Sequence, residues 1–136
     1  MTTLTPTDQE LIQAASDLLL RTHDAALHRV AAAARGVSGA VYLGLSLATP
    51  RVSVCAESSA IANAKMAGEE AITTIVSVGL DPADCPVVIN PCGVCREVVP
   101  SFGRDLHVLV SVNDDVTAVT SDALLPMPWV RARPYS

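Results

Sequence analysis

Cys55-Ala56-Glu57 and Pro91-Cys92-Gly93-Val94-Cys95 hold the residues of this sequence whose types and spacing can do chemistry. Together they offer three thiols and one carboxylate. A catalytic zinc ion takes three protein ligands and leaves its fourth position to water, and Cys55, Cys92 and Cys95 supply that number. Glu57, two residues after the first thiol, is then free to move protons as a general acid and base. Zinc brings the acidity of water into the physiological range, so these residues have the parts of a hydrolytic centre holding one zinc per chain. The competing reading is a structural zinc site, which needs a fourth protein ligand from Cys85, His23, His28 or His107. Cys85 stands seven residues before Cys92, outside either motif, and reads as an ordinary buried thiol. A structural site gives no reason for a Glu two residues after the first ligand or for a Pro before the second, so the catalytic reading is preferred.

Thiolates gather best where free backbone N–H groups and the positive end of a helix face them. The spacing predicts such a helix start after Cys55, over 56–67 and ending at Gly68, and another after Cys92, over 93–99 and stopped by Pro100 and Gly103. Arg96, beside Cys95, offers a charge to offset the thiolates. Ahead of these, Thr7 and Glu10 read as a capping box for a helix over about 8–22, with Leu11, Ile12, Ala15, Leu18 and Leu19 at helical spacing. Residues 26–34 and 40–45, joined through Arg35-Gly36-Val37-Ser38-Gly39, predict a hairpin. The β-branched run 71–78 predicts a central strand, and 87–89 a short one that delivers Pro91 and Cys92 to their helix. Residues 106–112 and 116–119 read as two strands around the Asn113-Asp114-Asp115 turn. Alternating helices and strands predict an α/β sandwich with a sheet of about five strands.

At 136 residues the chain has room for one domain, taken as 1–136. Half of it is apolar and its mean hydropathy is +0.39, which predicts apolar surface buried between subunits. The first residues lack the basic and apolar regions of a signal peptide, and no uncharged apolar run reaches membrane-spanning length. With a Cys-x-x-Cys pair that favours metal over disulfides, this predicts a cytoplasmic protein with no membrane partner. Nine Lys and Arg against 14 Asp and Glu give a net charge of −5 with no basic stripe, which excludes a polynucleotide substrate and favours a small molecule. The tail Arg131-Ala132-Arg133-Pro134 is too short for a nucleic-acid arm, and Tyr42, Phe102, Trp129 and Tyr135 are too few to build a stacking surface. Glu69-Glu70, Asp114-Asp115 and the Lys65/Glu69 pair read as solvated charges.

On both cysteine motifs the chain resembles the small cytidine deaminases, a family that includes blasticidin S deaminase. The resemblance extends to the N-terminal helix, to His28-Arg29-Val30-Ala31-Ala32-Ala33 where the family has an aromatic-x-Val-x-Ala-Ala strand, and to Leu124-Leu125-Pro126. It implies a three-layer α/β/α fold with a mixed sheet, and hydrolytic deamination at C4 of a cytosine-like base with release of ammonia. It implies zinc on Cys55, Cys92 and Cys95, Glu57 as proton shuttle, and a homotetramer whose pockets borrow residues from neighbouring subunits. It further implies that Ala56 and Pro91, in the same motifs, fall beside the substrate. The chain also departs from the family. Where cytidine deaminases hold the ribose with Asn-x-Glu, the corresponding residues here are Ser46 and Ala48, and His28 replaces the aromatic near the base. Trp129 either caps a pocket, as the family's C-terminal aromatics do, or anchors the tail. A modified cytosine nucleoside is thereby favoured over plain cytidine. An ordinary cytidine deaminase and a non-catalytic zinc-stabilised module stay as alternatives.

Overall fold

Four consecutive alanines, Ala31 to Ala34, have high helix propensity yet form a strand, because each is pressed between two layers and has no exposed surface. The structure, a computed structural model, describes residues 3–133, so Tyr135 lies outside it. In chain order the elements are α1 (Pro6–Thr22), β1 (Ala31–Gly36), β2 (Val41–Leu45), β3 (Leu47–Ala48), β4 (Ser53–Val54), α2 (Ala56–Met66), β5 (Ile72–Leu80), β6 (Pro86–Ile89), α3 (Gly93–Val98), β7 (His107–Val112) and β8 (Asp115–Thr120). Single 3₁₀ turns follow α3 and β8.

The sheet runs β2-β1-β5-β7-β8, with β6 paired to the C-terminal half of β5. β5 and β7 are parallel and the other pairs antiparallel, so the sheet is mixed. Side chains along a strand alternate between its faces, and the core divides accordingly. Ala31, Ala33, Val76, Val78 and Leu109 pack with Leu11, Ala15 and Leu19 of α1. Ala32, Ala34, Ile75, Val108 and Val110 pack with Ala56, Ala60 and Ala64 of α2 and with Cys95 of α3. Helices therefore cover both faces, as the expected α/β layering requires. The two cysteine-bearing helices share one face.

The differences from the sequence expectation are local. Helix α1 begins at Pro6 and is capped by Thr5, whose hydroxyl accepts from Asp8 N–H while the Asp8 carboxylate accepts from Thr5 N–H. Pro is preorganised for the first helical position, which moves the box two residues ahead of Thr7 and Glu10. The hairpin starts at Ala31, not residue 26, because Asp24 and His28 close a turn through reciprocal backbone bonds of 3.0 and 2.9 Å. Its Asp24 carboxylate accepts from Ala26 and Leu27 N–H, which holds its pKa below the ordinary value. Glu69 is not a solvated charge. It is buried, and its carboxylate accepts from the Ser38 hydroxyl, Ser38 N–H and the Tyr42 hydroxyl. A side chain on Gly36 would occupy the space Glu69 fills, so that glycine admits the carboxylate beneath the β1–β2 turn. Lys65 Nζ donates to the Glu69 and Glu70 carbonyls and ties the end of α2 to this network.

Candidate active site

Cys55 is the N-cap of α2 and Cys92 the N-cap of α3, both in extended backbone, and Cys95 lies in the first turn of α3. The three sulfurs all lie within 4.8 Å of one another, with Cys55 and Cys92 Sγ 3.5 Å apart. Tetrahedral Zn–S bonds of about 2.3 Å place sulfurs about 3.8 Å apart, so this donor set fits one zinc ion with a position left for water. Among the described residues, Cys85, His23, His28 and His107 are outside this cluster. Cys85 is exposed rather than buried, held in a loop where the Asp81 carboxylate accepts from Ala83 and Cys85 N–H.

The thiols differ in how readily they ionise. Burial pushes the Cys95 thiol well above its ordinary range, and the nearby Glu57 carboxylate adds to the rise. Burial likewise raises Cys55, followed by its contact with Cys92. Cys92 feels burial too, yet the N–H of Cys95 and the Cys55 sulfur outweigh it and lower its pKa. Neither N-cap sulfur makes a capping hydrogen bond of full geometry, so the pull of the helix start is electrostatic.

Glu57 sits on the first turn of α2 and is only 5 % exposed. It lines the same pocket as Cys55 and Cys92, a cleft of about 200 Å³. Among the described residues no hydrogen bond reaches its carboxylate, which leaves its lone pairs to the pocket. The segment leading to Cys92 is braced on two sides. Asn90 pairs its amide with Ser111 N–H and carbonyl at 2.8 and 3.1 Å, and Arg96 Nε donates to the Pro91 carbonyl at 3.0 Å. Arg96 thus holds the Pro91-Cys92 backbone.

The far wall is a two-residue ribbon, β3 against β4, with its turn tied by Thr49 to Val52. Ser46, Ala48 and Ala56 all line the pocket. The Ser46 hydroxyl accepts from Arg29 and Val30 N–H at 3.2 and 3.0 Å, and the Ser46 carbonyl accepts from His28 Nδ1 at 2.9 Å. Within one chain, His28 and Pro91 do not line this pocket. Trp129 does not either: it is 72 % exposed, in a separate hollow with Glu97 and Arg104, with the Arg131 guanidinium 5.8 Å over its ring. That hollow, about 330 Å³, is the larger of the two, yet Cys55 and Cys92 line the smaller. Sequence reasoning missed Arg29, Ser53 and Asn90, which also line the cleft. Their only signals were adjacency to His28, Val54-Cys55 and Pro91.

Blasticidin-S deaminase of Bacillus cereus is 32% identical over 130 residues, spanning 91% of this chain and 93% of that protein. No protein-family model matches the sequence. Cytidine deaminase from Burkholderia pseudomallei superposes with a TM-score of 0.74 at 27% identity, over 93% of this chain and 100% of that one. Cytidine deaminase from Bacillus anthracis gives a TM-score of 0.76 at 21% identity, over 89% and 88% of the two chains, a likeness of fold. Among the described residues no helix is long and apolar enough to cross a membrane.

Proposed function

The chain belongs to the cytidine deaminase family, and from that premise we propose that its substrate is a modified cytosine nucleoside rather than plain cytidine. It is a hydrolytic deaminase. In this reading Cys55, Cys92 and Cys95 hold one zinc per chain and Glu57 carries the proton. When bound, zinc supplies the positive charge that makes water acidic near neutral pH. Glu57 takes a proton from the attacking water and delivers it to the ring nitrogen beside C4, then takes the remaining proton from the new C4 hydroxyl and delivers it to the amine, which leaves as ammonia as the C4 carbonyl forms. The low exposure of Glu57 strengthens its interactions by excluding bulk water.

One observation carries the substrate preference: the Ser46 hydroxyl, where the family places its sugar-binding Asn, already accepts two backbone N–H groups. Ala48 has no acceptor side chain, and the Asn90 amide is engaged with Ser111. A two-point clamp on the ribose hydroxyl is therefore missing from this chain's share of the pocket, and such clamps discriminate strongly. The active form is a homotetramer in the cytoplasm, a single domain per chain, with His28, Pro91 and a neighbour's Trp129 completing the substrate contacts. Met127, Trp129 and Val130, each more than 70 % exposed, supply apolar surface for such contacts. The test is ammonia release from cytidine, deoxycytidine, cytosine and substituted cytosine nucleosides, beside a Ser46→Asn/Ala48→Glu variant. The proposal expects the substituted nucleosides to lead and the double variant to gain on cytidine. Wild-type turnover of cytidine at a kcat/KM of about 10⁴ M⁻¹s⁻¹ or more would contradict it.

A further inference from the structure

Among the described residues, Arg29 is the only cationic one lining the cleft; the other ionisable side chains there, Glu57, Cys55 and Cys92, carry no positive charge. Its backbone is anchored. Its N–H donates to Ser46 Oγ, the Asp24–His28 bridge closes the turn just before it, and Val30 after it packs against the core. Arg35 and Arg96 use their guanidinium groups on backbone carbonyls, whereas among the described residues the Arg29 guanidinium has no hydrogen bond or ion pair. It is exposed, while Glu57 is buried, so it stands on the solvent side of the cleft lining. Ser53, also exposed on the lining, has a hydroxyl without a hydrogen bond among the described residues.

We infer that Arg29 reads an oxyanion, a carboxylate or a phosphate, on the substituent that the cytosine-like substrate carries. The inference rests on the deaminase reading above and deepens it. A guanidinium presents a planar fork that pairs with a carboxylate or phosphate through two parallel hydrogen bonds, and the Ser53 hydroxyl adds a further donor on the same lining. The protein carries a net charge of −5, which repels an anion, so a lone cation on the cleft lining is the feature that admits one. A simple counter-charge for the sulfurs would act on every substrate alike. A reader of the substituent acts only on substrates that bear the anion.

That contrast sets the experiment. Ammonia release is followed for cytidine 5′-carboxylate, its neutral amide, cytidine 5′-monophosphate and cytidine, using wild-type zinc-loaded protein, Arg29→Ala and Arg29→Lys, with thermal unfolding confirming that each variant is folded. The wild type is expected to favour an anionic compound over its neutral counterpart through a lower KM, and the leading arm identifies carboxylate or phosphate. Arg29→Ala should reduce this anionic-to-neutral ratio of kcat/KM by about 10–100-fold, the loss of a charge-assisted pair. Arg29→Lys should restore part of it, as a charge without the fork. A wild-type ratio near one, or a ratio that Arg29→Ala leaves unchanged, overturns the inference while the deaminase reading stands. Absence of ammonia from both anionic compounds overturns the inference, and absence from the substituted-nucleoside panel as well overturns the substrate reading on which it rests.

Discussion

Replacing Gly44 with Ala should damage the active site although Gly44 touches none of its chemistry. Gly44, on β2, lies under the first turn of α2, where a Cβ would stand 2.9 Å from Ala60 Cα and closer still to Ala56 O and Ala60 N. Carbon atoms settle about 3.5–4.0 Å apart, so the helix must retreat by roughly 1 Å. Ala56, Ala60 and Ala64 have no exposed surface and pack against the strands beneath, so the retreat also loosens this seam. Overpacking of this kind costs about 1–3 kcal/mol of stability. Cys55 and Glu57 flank Ala56 and move with it, and a shift of about 1 Å in a catalytic group costs on the order of 10²-fold in rate. Thermal unfolding, zinc content by mass spectrometry and ammonia release on one preparation measure all three consequences. Gly93→Ala is the control: it lies inside the second cysteine motif, yet a Cβ there meets nothing within 4 Å. It should keep its zinc and fold, with stability unchanged or raised by up to about 1 kcal/mol. Gly44→Ala with wild-type unfolding, zinc and turnover would refute the packing argument.

Two further outcomes follow from the fold. The Ser38 hydroxyl and N–H, then Tyr42, hold the Glu69 carboxyl below its ordinary pKa, so its contribution is complete above the ordinary value and is lost as pH falls through the lowered one. Glu69→Gln should therefore be less stable than wild type at neutral pH, with the gap narrowing on acidification in paired unfolding curves; a gap independent of pH would be the wrong result. Light scattering at low micromolar concentration should report an oligomer, most simply a tetramer, and a stable, active monomer would contradict that assembly.

The local placement of the thiols and of Glu57 was legible because each motif sets its residues within one helical turn, where spacing alone fixes geometry. The layers were legible for a similar reason: the alternation of Ile75 with Val76 and of Val108 with Leu109 assigns each side chain to a face of the sheet. Strands β3 and β4 were missed because two residues carry no period. Ser46 lines the cleft, yet the bonds of its hydroxyl to Arg29 and Val30 depend on a meeting 16 or 17 residues apart, which no local pattern encodes. Glu69 looked solvated because its partners lie 27 and 31 residues away. Cys85 looked buried because free cysteines usually are, but the Asp81 turn holds it in the open. Trp129 faces a hollow of its own, apart from the cleft, because the turn after β8 carries the tail away from the cysteine motifs, which no local pattern encodes.

The central claim, that Glu57 moves the proton at a three-cysteine zinc centre, is tested most directly by ammonia release from Glu57→Gln protein that retains about one zinc per chain. The amide keeps the size of the carboxylate but cannot accept and return a proton. General acid–base groups contribute about 10²–10⁴-fold, so turnover of the preferred substrate should fall by that factor while zinc content and unfolding temperature hold. Deamination by this zinc-loaded variant at near the wild-type rate would contradict the account.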